Sequence, residues 1–212
     1  RHGNRNKGQH VELFVTKNSP YARIVRVVTY ELDIEDSITV SHAKTRKADS
    51  PYYTINPSGR VPYLVSDDGI GIEGTDTICE YLCAASKNSL WSYPNGDDGW
   101  TLRRLHSLAH SSLEGLSVWL RETHRPKNEQ SSTIIEHERA RAFRLLGEWE
   151  RSITDPLMSG ELNRAQVTLF CALGIEKFLP EFEWRGAHPA LHAYMNRQAN
   201  RSSFFNTDET NF

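Results

Sequence analysis

The chain has 212 residues, 38% of them hydrophobic and 25% charged, with a formal net charge of −2. This composition predicts a folded core, in one large or two small domains, and excludes a disordered chain. The small net charge, with no basic stripe interleaved with aromatics, gives no reason to expect nucleic acid. No apolar run approaches the roughly 18 residues that span a bilayer, so no membrane partner is expected.

Residues 1–10 are polar and basic, lack the apolar stretch of a secretory signal, and read as a disordered tail or an expression remnant. Val11–Val15 is a short apolar run that predicts a buried strand. Ser19 followed by Pro20 is an N-cap with proline at the first helical position. Helical spacing continues through Ile24, Val27, Val28 and Glu31. Ser37–Ser41 predicts a second strand. Asn56-Pro57-Ser58-Gly59 is a turn, followed by a third strand over Val61–Val65. Asp67-Asp68-Gly69 turns the chain into a short fourth strand, Ile70–Ile72. Thr75 is expected to cap a helix through Ile78, Tyr81 and Leu82.

Residues 87–99 are rich in Ser, Asn, Asp, Gly and Pro and read as a linker between domains 11–86 and 100–212. The second domain is helical in pattern. Leu102, Leu105, Ala109, Leu113, Leu116 and Leu120 share one helix face, and Ala142, Leu146, Trp149 and Ile153 share the next. Asn163 is a predicted N-cap, with Gln166 as its reciprocal capping-box partner and Leu162 and Val167 as the staple. That helix is expected to run to about Phe178, and a last one to span Pro189–Gln198. Trp100, Trp119, Trp149 and Trp184 are expected to line the core or a pocket. Three cysteines, Cys79, Cys83 and Cys171, with no CxxC, predict free thiols in a reducing, cytoplasmic compartment.

Three segments, in this order and spacing, resemble the cytosolic glutathione S-transferase family, the bacterial type with serine in the active-site loop. They are Asn18-Ser19-Pro20-Tyr21-Ala22-Arg23, then Asn56-Pro57-Ser58-Gly59-Arg60-Val61-Pro62, then Thr75-Asp76-Thr77-Ile78-Cys79-Glu80-Tyr81-Leu82. His188-Pro189-Ala190-Leu191, Tyr194 and Arg201-Ser202-Ser203-Phe204 resemble the family's closing pattern. The resemblance covers about residues 11–207. It implies an N-terminal thioredoxin-like βαβ–ββα domain that binds glutathione, followed by an all-helical bundle that supplies most of the pocket for a hydrophobic electrophile. It also implies a homodimer, a role in detoxification, and glutathione as co-substrate without a metal.

The chemistry requires a thiolate. A thiol of pKa about 8.5–9 lowered by about 2 units needs roughly 2.7 kcal/mol of preferential stabilisation. A helix N-terminus contributes about 0.3–1 kcal/mol, up to about 2 when partly buried, and one hydrogen bond to a charged group about 1.5–3. Ser19 stands where both meet, either as thiolate donor or only as a helix cap, and the resemblance favours the donor role. Thr16 and Asn18 are neighbouring alternatives, and Tyr21 is expected to pack near the site. A serine at 19 cannot form a mixed disulfide, which favours conjugation over reduction. The resemblance further implies a cis Val61–Pro62 bond that turns the Val61 backbone toward the cysteinyl part of glutathione, beside Arg60. Thr75 would hold the γ-glutamyl carboxylate.

One position departs from the pattern. The residue before Thr75 is Gly74, where the family carries the acid that receives the γ-glutamyl ammonium. Glu73 and Asp76 flank it out of register. His110 replaces a common Asp near the pocket mouth. Gly74 supports a rival reading, a catalytically weak binding or interaction protein, and because the second pocket belongs to the variable helical domain a glutathione-dependent etherase or dehalogenase is a further alternative. His106 with His110, and His188 with His192, have helical i, i+4 spacing but no third ligand, so no metal site is expected.

Overall fold

The structure is a computed structural model that describes residues 11–211. The chain divides into two compact units, one formed by residues 11–88 with 206–211 and the other by residues 89–205. The first unit is built on a four-stranded sheet. Strand β1 (Val11–Val15) leads through helix α1 (Pro20–Glu31) to β2 (Ile38–His42), which lies parallel to β1. A long connection with a 3-10 turn at Pro51–Thr54 leads to β3 (Tyr63–Val65), then β4 (Gly71–Glu73) and helix α2 (Thr75–Ala85). The sheet order is β2-β1-β3-β4, with β3 antiparallel to both β1 and β4.

Alternation along the strands divides the buried side chains between the two faces. Leu13, Val15 and Leu64 are fully buried on one face. Phe14 points to the other, where its ring lies 5.5 Å from that of Tyr52. Helix α1 is buried along its whole middle, from Ala22 to Thr29. The third strand starts two residues later than expected because Pro62 has no N–H to give to a ladder.

The second unit holds α3 (Asp97–Thr123), α4 (Ser132–Ser152), α5 (Arg164–Leu173), α6 (Pro189–Ala199) and most of α7 (Ser202–Asn206). All residues of α5 are buried, which makes it the central helix of this unit. Trp149 Nε1 donates to Ser112 Oγ at 3.0 Å and ties α4 to α3. The Glu150 carboxylate crosses from α4 to cap α6, accepting from Ala190 N and Leu191 N at 2.8 and 2.9 Å.

Several boundaries differ from expectation. Helix α3 begins at Asp97, inside the stretch read as linker, because Gly96 adopts φ 73° as its N-cap and Asp97 and Asp98 suit the first turn of a helix. The stretch before it is anchored as well. Trp91 is buried, its carbonyl accepts from Arg164 Nη1 at 2.7 Å, and Tyr93 has the guanidinium groups of Arg103 and Arg164 within 4.2 and 4.0 Å of its ring centroid. Trp100 is 72% exposed rather than core. Residues 206–211 belong to the first unit, not to the helical one. Helix α5 tightens into a 3-10 segment at Gly174–Phe178. Asn163 caps α5 through Ala165 N and Gln166 N, but Gln166 completes no capping box. Its amide donates to the carbonyls of Leu157 and Glu161 and so holds the incoming loop.

The cross-helix cap generates a test. Glu150→Ala leaves the α6 N-terminus without its carboxylate and should cost about 1–2 kcal/mol, the range of lost caps. The expected readout is a lower urea midpoint with an unchanged far-ultraviolet spectrum in the native baseline.

Candidate functional site

The sheet register assembles the site. Phe14 pairs with Tyr63, and Tyr63 with Glu73. Past this end of the ladders β1 runs on toward Thr16, β3 is entered from Val61, and β4 runs on to Thr75. Three chain segments therefore meet at one end of the sheet: the exit of β1 into α1, the approach to β3, and the exit of β4 into α2. Both exits open helix N-termini there.

At the first segment Thr16 is half-buried and Asn18 exposed, and the turn closes with Ser19 N donating to the Thr16 carbonyl at 3.2 Å. Ser19 has extended backbone, as an N-cap requires, and its Oγ accepts from Ala22 N at 3.1 Å. A hydroxyl in that role keeps its proton for a further acceptor. Helix α1 has no acidic residue in its first turn, so nothing there opposes an anion at its N-terminus. Tyr21 is half-buried in that turn.

The second segment is held by a small polar network. Buried Asn56 accepts from Ser58 N at 3.1 Å and donates through Nδ2 to the Arg60 carbonyl at 3.0 Å. Tyr52 donates to the same carbonyl at 2.5 Å. Burial pushes the Tyr52 hydroxyl above its ordinary pKa of 10.0, so it stays a donor through neutral pH. Arg60 contributes this carbonyl while its residue surface is exposed. Val61, half-buried, follows directly, and the Val61–Pro62 bond is cis, as the resemblance implies. Gly59 sits at φ +67°, and a Cβ there would lie 2.6 Å from Cε1 of Tyr53, so the turn is built around a glycine.

The third segment corrects the expectation for Thr75. The N-cap of α2 is Gly74, whose carbonyl accepts from Ile78 N at 2.9 Å, and Thr75 is the first helical residue, buried at 8% exposure. Gly74 has no side chain to cap with, and a helix N-terminus finished by a glycine can take an outside acceptor on its first-turn N–H groups. Its φ of +96° is a conformation that L side chains rarely adopt. Glu73 is engaged elsewhere: its Oε2 accepts from Ser58 Oγ at 2.5 Å. Asp76 is half-buried in the first turn of α2.

Ten of the expected residues thus line one end of the sheet, with Tyr21 on the first turn of α1. His110 lies half-buried on α3, in the second unit. Tyr52 and Ser58 were not anticipated as site residues, although Tyr52 stands one helical turn before Asn56 and that spacing was a usable signal.

Residues 18–85, which include all three segments, match the family described as glutathione S-transferase, N-terminal domain. The match lies within the first unit and covers all but its first strand and its C-terminal return. The uncharacterized GST-like protein YibF of Escherichia coli is 24% identical over 200 residues, covering 93% of this chain and 98% of that one. Solved structures of similar fold include a glutathione S-transferase of Methylobacillus flagellatus with glutathione bound, at 24% identity and TM-score 0.81, covering 93% of this chain and 98% of that one. A glutathione transferase family member of Pseudomonas fluorescens, also with bound glutathione, has TM-score 0.83 at 24% identity with the same coverage. Gtt2 of Saccharomyces cerevisiae has TM-score 0.79 at 19% identity, covering 92% and 99%. The glutathione transferase fold therefore extends over both units, a thioredoxin-like domain and a helical one. Among the described residues no helix is long and apolar enough to cross a membrane.

The network that holds this domain's second segment is open to test. Asn56→Ala removes one of the two donors to the Arg60 carbonyl, leaves the Ser58 N–H without this acceptor, and should cost about 1–3 kcal/mol. Tyr52→Phe removes one bond and should cost about 0.5–1.5. Because the folded-state pKa of Tyr52 is raised, stability from this group is full below about pH 10 and falls above it as the unfolded tyrosine ionises. Alkaline unfolding monitored by circular dichroism should therefore be less steep in Tyr52→Phe than in the parent.

Proposed function

We propose that this protein binds glutathione and conjugates it to a hydrophobic electrophile, with Ser19 donating to the thiolate. The observation that carries the reading is the state of Ser19. Its oxygen is fixed by the Ala22 N–H, its proton is left to donate, and it stands at the N-terminus of a 12-residue helix with no acid in its first turn. One charge-assisted bond of about 1.5–3 kcal/mol, added to about 0.3–1 from the helix, covers most or all of the roughly 2.7 kcal/mol that thiolate formation needs. Val61 would align the cysteinyl backbone, and the glycine-capped N-terminus of α2 at Thr75 would receive the γ-glutamyl carboxylate. The relatives with glutathione bound support the same ligand. The three cysteines, buried and joined in no disulfide, suit a reducing cytoplasm. A homodimer is the assembly we expect.

Gly74 and Glu73 favour a second reading, that of a weak binder with little catalysis. Position 74 offers no carboxylate for the γ-glutamyl ammonium, and Glu73 already accepts from Ser58 Oγ with one of its oxygens. A missing charge-assisted bond costs about 1.5–3 kcal/mol, or one to two powers of ten in affinity.

Turnover of a chromogenic aryl halide decides between the two. Ser19→Ala should lower turnover at neutral pH about 10- to 100-fold and raise the thiol pKa in the pH profile by about 1–2 units. Ser19→Gly should do the same at a folding cost of only a few tenths of a kcal/mol. Unchanged turnover in both variants removes Ser19 from the role, and no calorimetric heat at millimolar glutathione establishes the second reading against the first. Cleavage of aryl ethers or alkyl halides in place of conjugation would redirect the reaction while keeping the ligand.

A further inference from the structure

Two arginines on α1 have no part in the scheme above. Arg23 and Arg26 are 4% and 7% exposed. A buried guanidinium is tolerated only where charge or hydrogen-bond partners replace its water. Here those partners come from residues more than 180 positions away. Arg23 Nη2 lies 3.5 Å from Asp208 Oδ2, and Arg23 Nη1 lies 3.5 Å from Glu209 Oε1. Arg23 Nε donates to Thr207 Oγ1 at 3.5 Å, and Arg26 Nη1 donates to the Thr207 carbonyl at 3.2 Å. Thr207 is fully buried.

Arg23 stands one helical turn after Ser19, and its backbone N–H donates to the Ser19 carbonyl at 2.9 Å. One turn of α1 therefore carries the N-cap at its front and a three-point guanidinium anchor at its back. The planar fork resists both rotation and sliding of the helix, because either movement breaks several bonds together.

We propose that Arg23 is a positioning residue for Ser19, held by a clasp of residues 207–209 that fixes the first turn of α1 from behind. The proposal rests on the reading of Ser19 as thiolate donor for its catalytic part, and on geometry alone for the clasp.

The test uses the full chain with Asp208→Asn, Glu209→Gln and the pair combined, so that the anchor is loosened in steps and Arg23 itself is kept. Hydrogen–deuterium exchange is read at the Ala22 and Arg23 amides, whose acceptors are Ser19 Oγ and the Ser19 carbonyl, with α5 amides as internal reference. The double variant should speed exchange at both amides at least tenfold and leave α5 unchanged. The pKa of bound glutathione, followed by thiolate absorbance, should rise by about one unit, with kcat falling about tenfold and KM unchanged. Native exchange at Ala22 and Arg23 in the folded double variant overturns the clasp. Accelerated exchange with a native thiol pKa overturns the positioning role. If the parent chain gives no thiolate signal, the glutathione reading fails together with the positioning role, and exchange alone then decides the clasp.

Discussion

The register between β1 and β3 is the constraint on which this structure depends. These are the two interior strands, and each carries a fully buried leucine, Leu13 opposite Leu64. A slip of one residue would exchange the two faces along a strand, bringing Phe14 to the leucine side and taking it away from Tyr52. The same slip would shift the exit of β1 against the approach to β3. Core packing and site assembly are thus specified by one set of hydrogen bonds, and the site tolerates no register that the core would reject.

The order of elements in the first unit was legible because its signals are local. A proline after a serine, an Asn-Pro-Ser-Gly turn and short apolar runs each carry their meaning within a few residues. The N-cap at Ser19 was legible for the same reason, and the cis Val61–Pro62 bond was implied by the family resemblance. What was not legible depends on distance along the chain. The engagement of Glu73 by Ser58 joins residues 15 apart, a pairing that no local spacing announces. The cap of α2 moved from Thr75 to Gly74 because a backbone carbonyl defines it, and a glycine carries no side-chain signal. The stretch before α3 reads as loose from its composition, yet one tryptophan and two arginines bind it down.

The two helix N-termini at the sheet end are finished differently. At α1 a side chain fills the cap and still has a proton to offer. At α2 the cap is a glycine. The first arrangement suits an acceptor that approaches a hydroxyl, the second an anion that completes the helix itself. A ligand with a thiolate near one end and a carboxylate at the other would use both, and the difference in finish sets its direction.

The return of residues 206–211 to the first unit makes that unit discontinuous in sequence. During synthesis at about 5–20 residues per second, residues 11–88 leave the ribosome roughly 6–24 s before Thr207, Asp208 and Glu209 follow. In that interval the nascent unit lacks the two carboxylates beside Arg23 and the Thr207 carbonyl that accepts from Arg26, so its first helix cannot reach its final packing. The domain that begins first is completed last, and any break in translation across the helical unit leaves its opening turn unsecured.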